Sequence, residues 1–280
     1  MHQHRQSDAR DRESRPIVAI HGSASSGALW APLVNAFSPG RTILAPDLRG
    51  YGAQDRRCLN RAATLQTRAA PVVKAMTRLD RPVHLIAHSF GASVALQIVK
   101  TVPGQVRSLT FYEPVIPALL RDSGQMHDLE LVGDLLAVSE VLQGASAGVG
   151  METFVNFWAE PGTWQTLPEE IQRKLSRLAP IVYQDFLEAY HNTSPNTFSQ
   201  LEFNGPVRLL LGARANRQAI RMAELLAQQY PQASTQTLRD MGHLGPSTHP
   251  EQVHSTIVEH IGFIEAGSDF ERAQQLVING

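Results

Sequence analysis

The chain has 280 residues, and about 150 residues per domain is only a soft prior, so one or two domains fit. Apolar residues make up 42% and charged residues 18%, which suits a chain with a sizeable core and excludes disordered or collagen-like classes. Lysine plus arginine number 25 against 26 aspartates plus glutamates, so no global charge draws the chain to nucleic acid or to an anionic membrane.

Residues 1–15 are polar and charged, carry no apolar signal segment, and read as a disordered leader. The short β-branched run Ile17–Ile20, closed by His21-Gly22-Ser23, predicts a buried strand. Residues 28–37 read as a helix and residues 42–45 as a strand, followed by a turn rich in Gly and Pro up to Gly52. The single cysteine, Cys58, cannot form an intrachain disulfide, and a cytoplasmic location is the natural expectation. Residues 64–78 space Leu65, Ala69, Val72, Val73 and Met76 for one apolar helix face. Residues 83–87 predict a strand, residues 92–101 a helix, and Val106–Tyr112 a strand.

From residue 115 to 205 the strand signals vanish. Helical spacing marks residues 129–142, 151–158, 169–178 and 182–191. Strand signals return at 207–211 and 235–238, alternating with helices at Arg217–Gln229 and 251–264, and residues 268–277 predict one more helix. Alternation of this kind predicts a mostly parallel sheet with helices on both faces. The expected organisation is an α/β core at 16–115 and 207–264, a helical cap at 116–206, and a C-terminal tail at 265–280. No apolar run reaches the roughly eighteen residues a membrane helix needs.

The chemistry concentrates at Ala87-His88-Ser89-Phe90-Gly91, between a strand and a helix. It departs from G-x-S-x-G by Ala87 alone. A nucleophile elbow needs small residues two before and two after its serine, because strand and helix pass close. A serine hydroxyl is a poor nucleophile until an imidazole accepts its proton. His243 suits that role: it follows the last strand, behind Gly242, at the carboxyl edge where a parallel sheet binds ligands. His21 shares that edge, with a structural role for its hydrogen bonds, and His88 is expected to point away from the serine. His127, His191, His249, His254 and His260 read as surface or helix-end residues. No histidine spacing suits a metal, so neither metal nor cofactor is expected. An oxyanion hole requires two aimed backbone N–H groups, and Phe90 and Ser23 are placed to supply them.

The order His21-Gly22, Asp47-x-Arg49-Gly50-x-Gly52, His88-Ser89-x-Gly91 and Gly242-His243 resembles the α/β-hydrolase superfamily over nearly the whole chain after Arg15. Tyr112-Glu113-Pro114, Phe154 to Trp158, and Gly242-His243-Leu244-Gly245-Pro246-Ser247-Thr248-His249-Pro250 resemble a group of capped bacterial serine hydrolases within it. The resemblance implies the α/β-hydrolase fold and a catalytic triad. Many members carry the triad acid in a Gly-x-x-Asp pattern after the strand placed here at 207–211. This chain instead reads Gly212-Ala213-Arg214-Ala215-Asn216. Asp240, Asn216 and Glu113 remain as candidates. Asp240 is too local to reach back onto the ring, and Asn216 carries no charge. Glu113 ends the strand after the elbow strand, where some capped members place their acid, and is the residue chosen.

The aromatic cap residues Phe154, Phe157, Trp158, Trp164, Tyr183, Phe186 and Tyr190 suggest an apolar pocket. Trp30, Trp158 and Leu244 are its candidate lining. The leading reading is a serine hydrolase acting on an ester, thioester or lactone of a small, mostly apolar molecule. Carbon–carbon bond hydrolysis uses the same serine and histidine, but the Gly-Asn-Ser-Met-Gly elbow familiar from those enzymes is absent. Dehalogenases and soluble epoxide hydrolases resemble this fold but use aspartate where Ser89 stands. A non-catalytic ligand-binding protein on the same fold is the alternative from another class. The expected partner is a small-molecule substrate, with no nucleic acid and no membrane, and a homo-oligomer is left open.

Overall fold

The computed structural model describes residues 14–37, 40–52, 64–79, 81–191 and 203–278, with side chains up to residue 267. Cys58 lies outside the described residues, as does the expected leader up to residue 13.

The chain opens with β1 (Ile17–Ile20), a tight helical turn at Gly27–Trp30, α1 (Ala31–Ala36) and β2 (Ile43–Leu44). Then come α2 (Leu65–Met76), β3 (Val83–His88), α3 (Gly91–Thr101) and β4 (Val106–Tyr112). Among the described residues, six helices separate β4 from the next strand: α4 (Pro117–Asp122), α5 (Met126–Gly144), α6 (Ala147–Trp158), α7 (Thr163–Thr166), α8 (Glu169–Ser176) and α9 (Ala179–His191). The alternation resumes with β5 (Val207–Gly212), α10 (Arg217–Gln229), β6 (Ala233–Leu238), α11 (Gly245–Thr248) and α12 (Pro250–Ile278). The sequence pattern missed α4 and α7, which are too short for periodicity to register. It also divided the last helix, which runs unbroken through residue 265 to Ile278. Glu265, where a separate tail was expected, accepts the Arg15 N–H at 3.0 Å and bonds the Arg41 guanidinium at 2.6 Å. That contact also anchors the last residue of the expected leader.

The strands form one six-stranded sheet, ordered β2-β1-β3-β4-β5-β6, and every described pairing is parallel. All four residues of β1 and all six of β3 are buried. Helices cover both faces, so β1 reads as the unbroken apolar run Ile-Val-Ala-Ile, while β3 and β4 bury His84, Ser108 and Thr110 among their apolar residues. The period of two then sorts them. Val18, Ile20, Leu85, Ala87, Phe111 and Leu209 face a cluster with α2, α3 and α10. Ile17, Ala19, Ile86, Tyr112 and Leu210 face Leu33 of α1 and Val253, Ile257 and Ile261 of α12. Each fully buried aliphatic side chain contributes roughly 1.5–3 kcal/mol, so both faces stabilise the layer order. The edges are blunted: β2 is two residues long, and β6 is Ala-Ser-Thr-Gln-Thr-Leu, largely exposed.

This packing corrects two expectations. Trp30 is fully buried in the α1–α12 cluster, 5.8 Å between ring centroids from His254, and does not line a pocket beside Ser89. Gly27, at the start of that turn, sits so close to Ala45 O that a Cβ would stand 1.9 Å away, and its N–H bonds Asp47 at 2.8 Å. The pinned turn directs the indole inward. His254, read as a surface or helix-end residue, is 1% exposed and lies near the start of α12 on the same face. Among the described residues no helix is long and apolar enough to cross a membrane.

The register positions the site. Ile20 pairs with Ala87 and His88 with Tyr112, while Gly212 pairs with Leu238. The strands therefore end nearly level, and the loops after β1, β3, β4, β5 and β6 gather at one carboxyl edge. Four non-glycine residues among those described have left-handed backbone: Ala24 (φ 56°), Ser89 (φ 54°), Glu113 (φ 40°) and Asp240 (φ 61°). Each closely follows a strand at that edge. Strain of this kind costs roughly 1–3 kcal/mol per residue and clusters at functional sites.

Candidate active site

Ser89 stands between β3 and α3. Its N–H donates to Tyr112 O at 3.1 Å, and its carbonyl accepts from Ala92 N–H at 2.9 Å and Val115 N–H at 3.1 Å. These bonds hold the strained turn. A Cβ on Gly91 would stand 2.6 Å from His21 O, and one on Gly22 would stand 2.7 Å from Ser89 Cβ. Both glycines are therefore required by close approach. Ala87, where the elbow pattern has glycine, is fully buried with its methyl group accommodated.

His243 follows β6 and is 4% exposed. Its Nε2 lies 2.9 Å from Ser89 Oγ, and its Nδ1 lies 2.9 Å from Glu113 Oε2. Glu113 is fully buried, and its second oxygen accepts the Gly212 N–H at 3.0 Å. An ionised carboxylate accepts only, so Nδ1 carries the proton and Nε2 is free to accept from the serine hydroxyl. The other two candidate acids do different work. Asn216 caps α10 by accepting the Ala219 N–H at 2.9 Å. Asp240 is exposed on the strained turn after β6.

The loop carrying His243 is fastened by two groups the sequence reading missed. Tyr112 OH donates to Gly242 O at 2.8 Å, and His88 Nε2–H donates to His243 O at 2.9 Å. His88 thus lies against His243, with ring centroids 4.9 Å apart. Burial and the neighbouring His243 hold the His88 pKa well below the ordinary range. Gly245 must stay small here, since a Cβ would stand 1.9 Å from Tyr112 OH. Sequence spacing carried no signal for this, because the partners lie far apart in the chain.

On the β1 side, His21 Nδ1–H donates to Gly22 O at 2.7 Å, and its Nε2 accepts the Leu48 N–H at 2.9 Å. This is the structural role expected of it. Phe90 follows Ser89 in the chain, and Ser23 follows Gly22, whose backbone lies against Ser89; neither N–H has a protein acceptor among the described residues. Trp158 of α6 stacks on His243 with centroids 4.9 Å apart at 30°. Leu244 is half-buried next to His243. Phe154, Phe157, Phe186 and Tyr190 pack against the main core cluster, and Trp164 and Tyr183 pack among the inserted helices. No group of three or more metal-ligating side chains occurs among the described residues.

A sequence profile of the alpha/beta hydrolase family matches residues 17–256. The chain belongs to the alpha/beta hydrolase family. Lipase LipV of Mycobacterium tuberculosis is 29% identical over 145 residues, 51% of this chain and 51% of the lipase. A haloalkane dehalogenase of Agrobacterium fabrum is 32% identical over 102 residues, 36% of this chain and 33% of the dehalogenase. The matches thus span between a third and a half of these curated relatives. An esterase from Exiguobacterium antarcticum superposes with a TM-score of 0.68 at 17% identity, over 89% of this chain and 92% of that one; this likeness carries the fold alone.

This alpha/beta hydrolase also holds a buried charged cluster beneath its inserted helices. Arg68 of α2 meets Asp185 at 2.7 Å and Glu188 at 3.0 Å, both from α9. Burial pushes Glu188 up to about 7 against the pull of Arg68. Burial also lowers His21, His254 and His260 to about 4. The two effects oppose each other in pH. Between about 4 and 6.5 the unfolded histidines bind protons that the folded ones refuse, so stability falls as pH drops through that window. Glu188 binds a proton in the folded state that the unfolded chain releases above about 4.5, so its contribution fades as pH rises toward 7. The histidines outnumber it. The thermal midpoint is expected to fall from pH 6.5 to pH 4, and Glu188→Gln is expected to steepen that fall by removing the opposing slope. A flat midpoint across this window, read by calorimetry, contradicts the balance.

Proposed function

We propose that this alpha/beta hydrolase is a serine hydrolase that cleaves an ester, thioester or lactone of a small, mostly apolar molecule through an acyl-enzyme. One observation carries the reading: the continuous chain from Ser89 Oγ through His243 to Glu113, in two contacts of 2.9 Å. As Ser89 Oγ attacks the carbonyl carbon, His243 Nε2 takes its proton, and the Glu113 carboxylate stabilises the imidazolium. The developing oxyanion is received by the Phe90 and Ser23 N–H groups. His243 then gives its proton to the leaving alcohol or thiol. Water enters, His243 deprotonates it, and attack on the acyl carbonyl releases the acid and restores Ser89.

The inserted helices act as a cap over this edge. Trp158 gives His243 an apolar wall, which favours an apolar acyl or alcohol portion. The dehalogenase relative does not transfer its printed activity. Displacement of halide by a serine oxygen would leave an alkyl ether, which has no carbonyl for water to attack and would not turn over.

The test is labelling with a fluorophosphonate probe, followed by a panel of 4-nitrophenyl esters from acetate to octanoate. Stoichiometric labelling at Ser89 with turnover of the short and medium esters is expected. A folded protein that neither labels nor hydrolyses any ester is a binding module rather than an enzyme of this type.

A further inference from the structure

Asp185 sits where the inserted helices meet the β1 loop. Ser23 Oγ donates to its Oδ2 at 2.6 Å, and the Tyr51 hydroxyl donates to the same oxygen. Tyr51 OH in turn accepts the Ala24 N–H at 3.1 Å. One carboxylate oxygen on α9 therefore restrains two successive residues, Ser23 by its side chain and Ala24 through Tyr51. Asp185 and Glu188 are 1% exposed and Arg68 is 2% exposed. Arg68 fastens the cluster from below, bonding both acids and the carbonyl of Arg49. Ala24 is itself held at a positive φ, a conformation that needs outside restraint. Of the two acids that meet Arg68, only Asp185 also accepts from the β1 loop, through Ser23 and Tyr51.

We propose that Asp185 is a positioning residue of the oxyanion hole: through Ser23 and Tyr51 it sets the loop that carries the Ser23 N–H, so the hole is complete only while the cap is seated. The inference rests on the serine-hydrolase reading above and adds a coupling between cap and chemistry. A carboxylate that merely fastens α9 to the core would affect stability and leave the transition state alone.

The experiment compares Asp185→Ala, Asp185→Asn and Ser23→Ala. Its readouts are kcat, KM, thermal midpoint, fluorophosphonate active-site titration and affinity for an aryl trifluoromethyl ketone, whose hemiketal oxyanion needs the hole. Misplacing a catalytic group by about 1 Å can cost roughly 100-fold. Asp185→Ala is expected to lower kcat about 30- to 100-fold per titrated site, with KM within about threefold and ketone affinity falling in parallel with kcat. Asp185→Asn keeps an acceptor oxygen for Ser23 and Tyr51 and leaves Arg68 its Glu188 partner, but sets an amide donor against Arg68, so it is expected to recover kcat in part, above Asp185→Ala. Ser23→Ala is expected to lower kcat about tenfold and to add nothing on top of Asp185→Ala, the mark of a shared path. Should Asp185→Ala not fold, Ser23→Ala combined with Tyr51→Phe removes both hydroxyls and leaves the ion pairs in place; it must show the same fall in kcat and ketone affinity. Unchanged kcat and ketone affinity in the variants, or additive losses that track the thermal midpoint, overturn the proposal and leave the serine-hydrolase reading standing. A wild-type protein that neither labels nor hydrolyses esters removes both.

Discussion

Ser89→Ala is expected to lower kcat for ester hydrolysis by about 10⁶-fold while the protein stays folded, because nucleophile and base act as one unit in hydrolases of this kind. Alanine keeps the Cβ, so the left-handed turn at φ 54° is no more strained than with serine. The backbone bonds that hold the turn, to Tyr112 O and from Ala92 and Val115 N–H, do not involve the hydroxyl. What disappears is the Ser89 Oγ that faces His243 Nε2, the attacking atom of the proposed reaction. Stopped assays on a 4-nitrophenyl ester, with folding followed by circular dichroism, separate the two effects. Residual turnover near a thousandfold over water would reflect the oxyanion hole alone. Near-normal turnover by a folded Ser89→Ala variant would show that another group carries the reaction.

Glu113→Gln is expected to cost about 10⁴-fold in kcat with little change in volume or folding. The reason lies in the two bonds the carboxylate accepts, from Gly212 N–H at 3.0 Å and from His243 Nδ1–H at 2.9 Å. Both are donors. A glutamine presents one acceptor and one donor. Turned with its oxygen to Gly212, its amide forces the proton of His243 onto Nε2, which then cannot accept from Ser89. Turned the other way, it sets a donor against the Gly212 N–H inside a fully buried site. Either arrangement also loses the charge that stabilises the imidazolium. Asn216→Ala provides the contrast. It removes a helix cap, worth about 1 kcal/mol of stability, and is expected to leave kcat within about twofold. A Glu113→Gln variant within tenfold of wild type, or a collapse of kcat in Asn216→Ala, would reverse the assignment of the acid.

The amino-acid sequence by itself determined the order of the six strands and the longer helices between them, the elbow at Ser89 and the histidine at 243. Each rests on local chemistry. Buried parallel strands announce themselves as short β-branched runs, and the elbow as a serine two residues before a glycine between strand and helix. The choice among Glu113, Asp240 and Asn216 leaned on resemblance, since spacing alone left all three open. The tertiary structure separates them through register: β3 and β4 end level, with His88 against Tyr112, so the residues that follow come together at one edge. Trp30 lay beyond any local pattern, because only the pinned turn at Gly27 decides which sheet face receives the indole. The cluster of Ser23, Tyr51, Arg68, Asp185 and Glu188 lay beyond it too. Its members come from two loops and two helices, and a charge in the sequence carries no mark of the distant partner that makes its burial affordable.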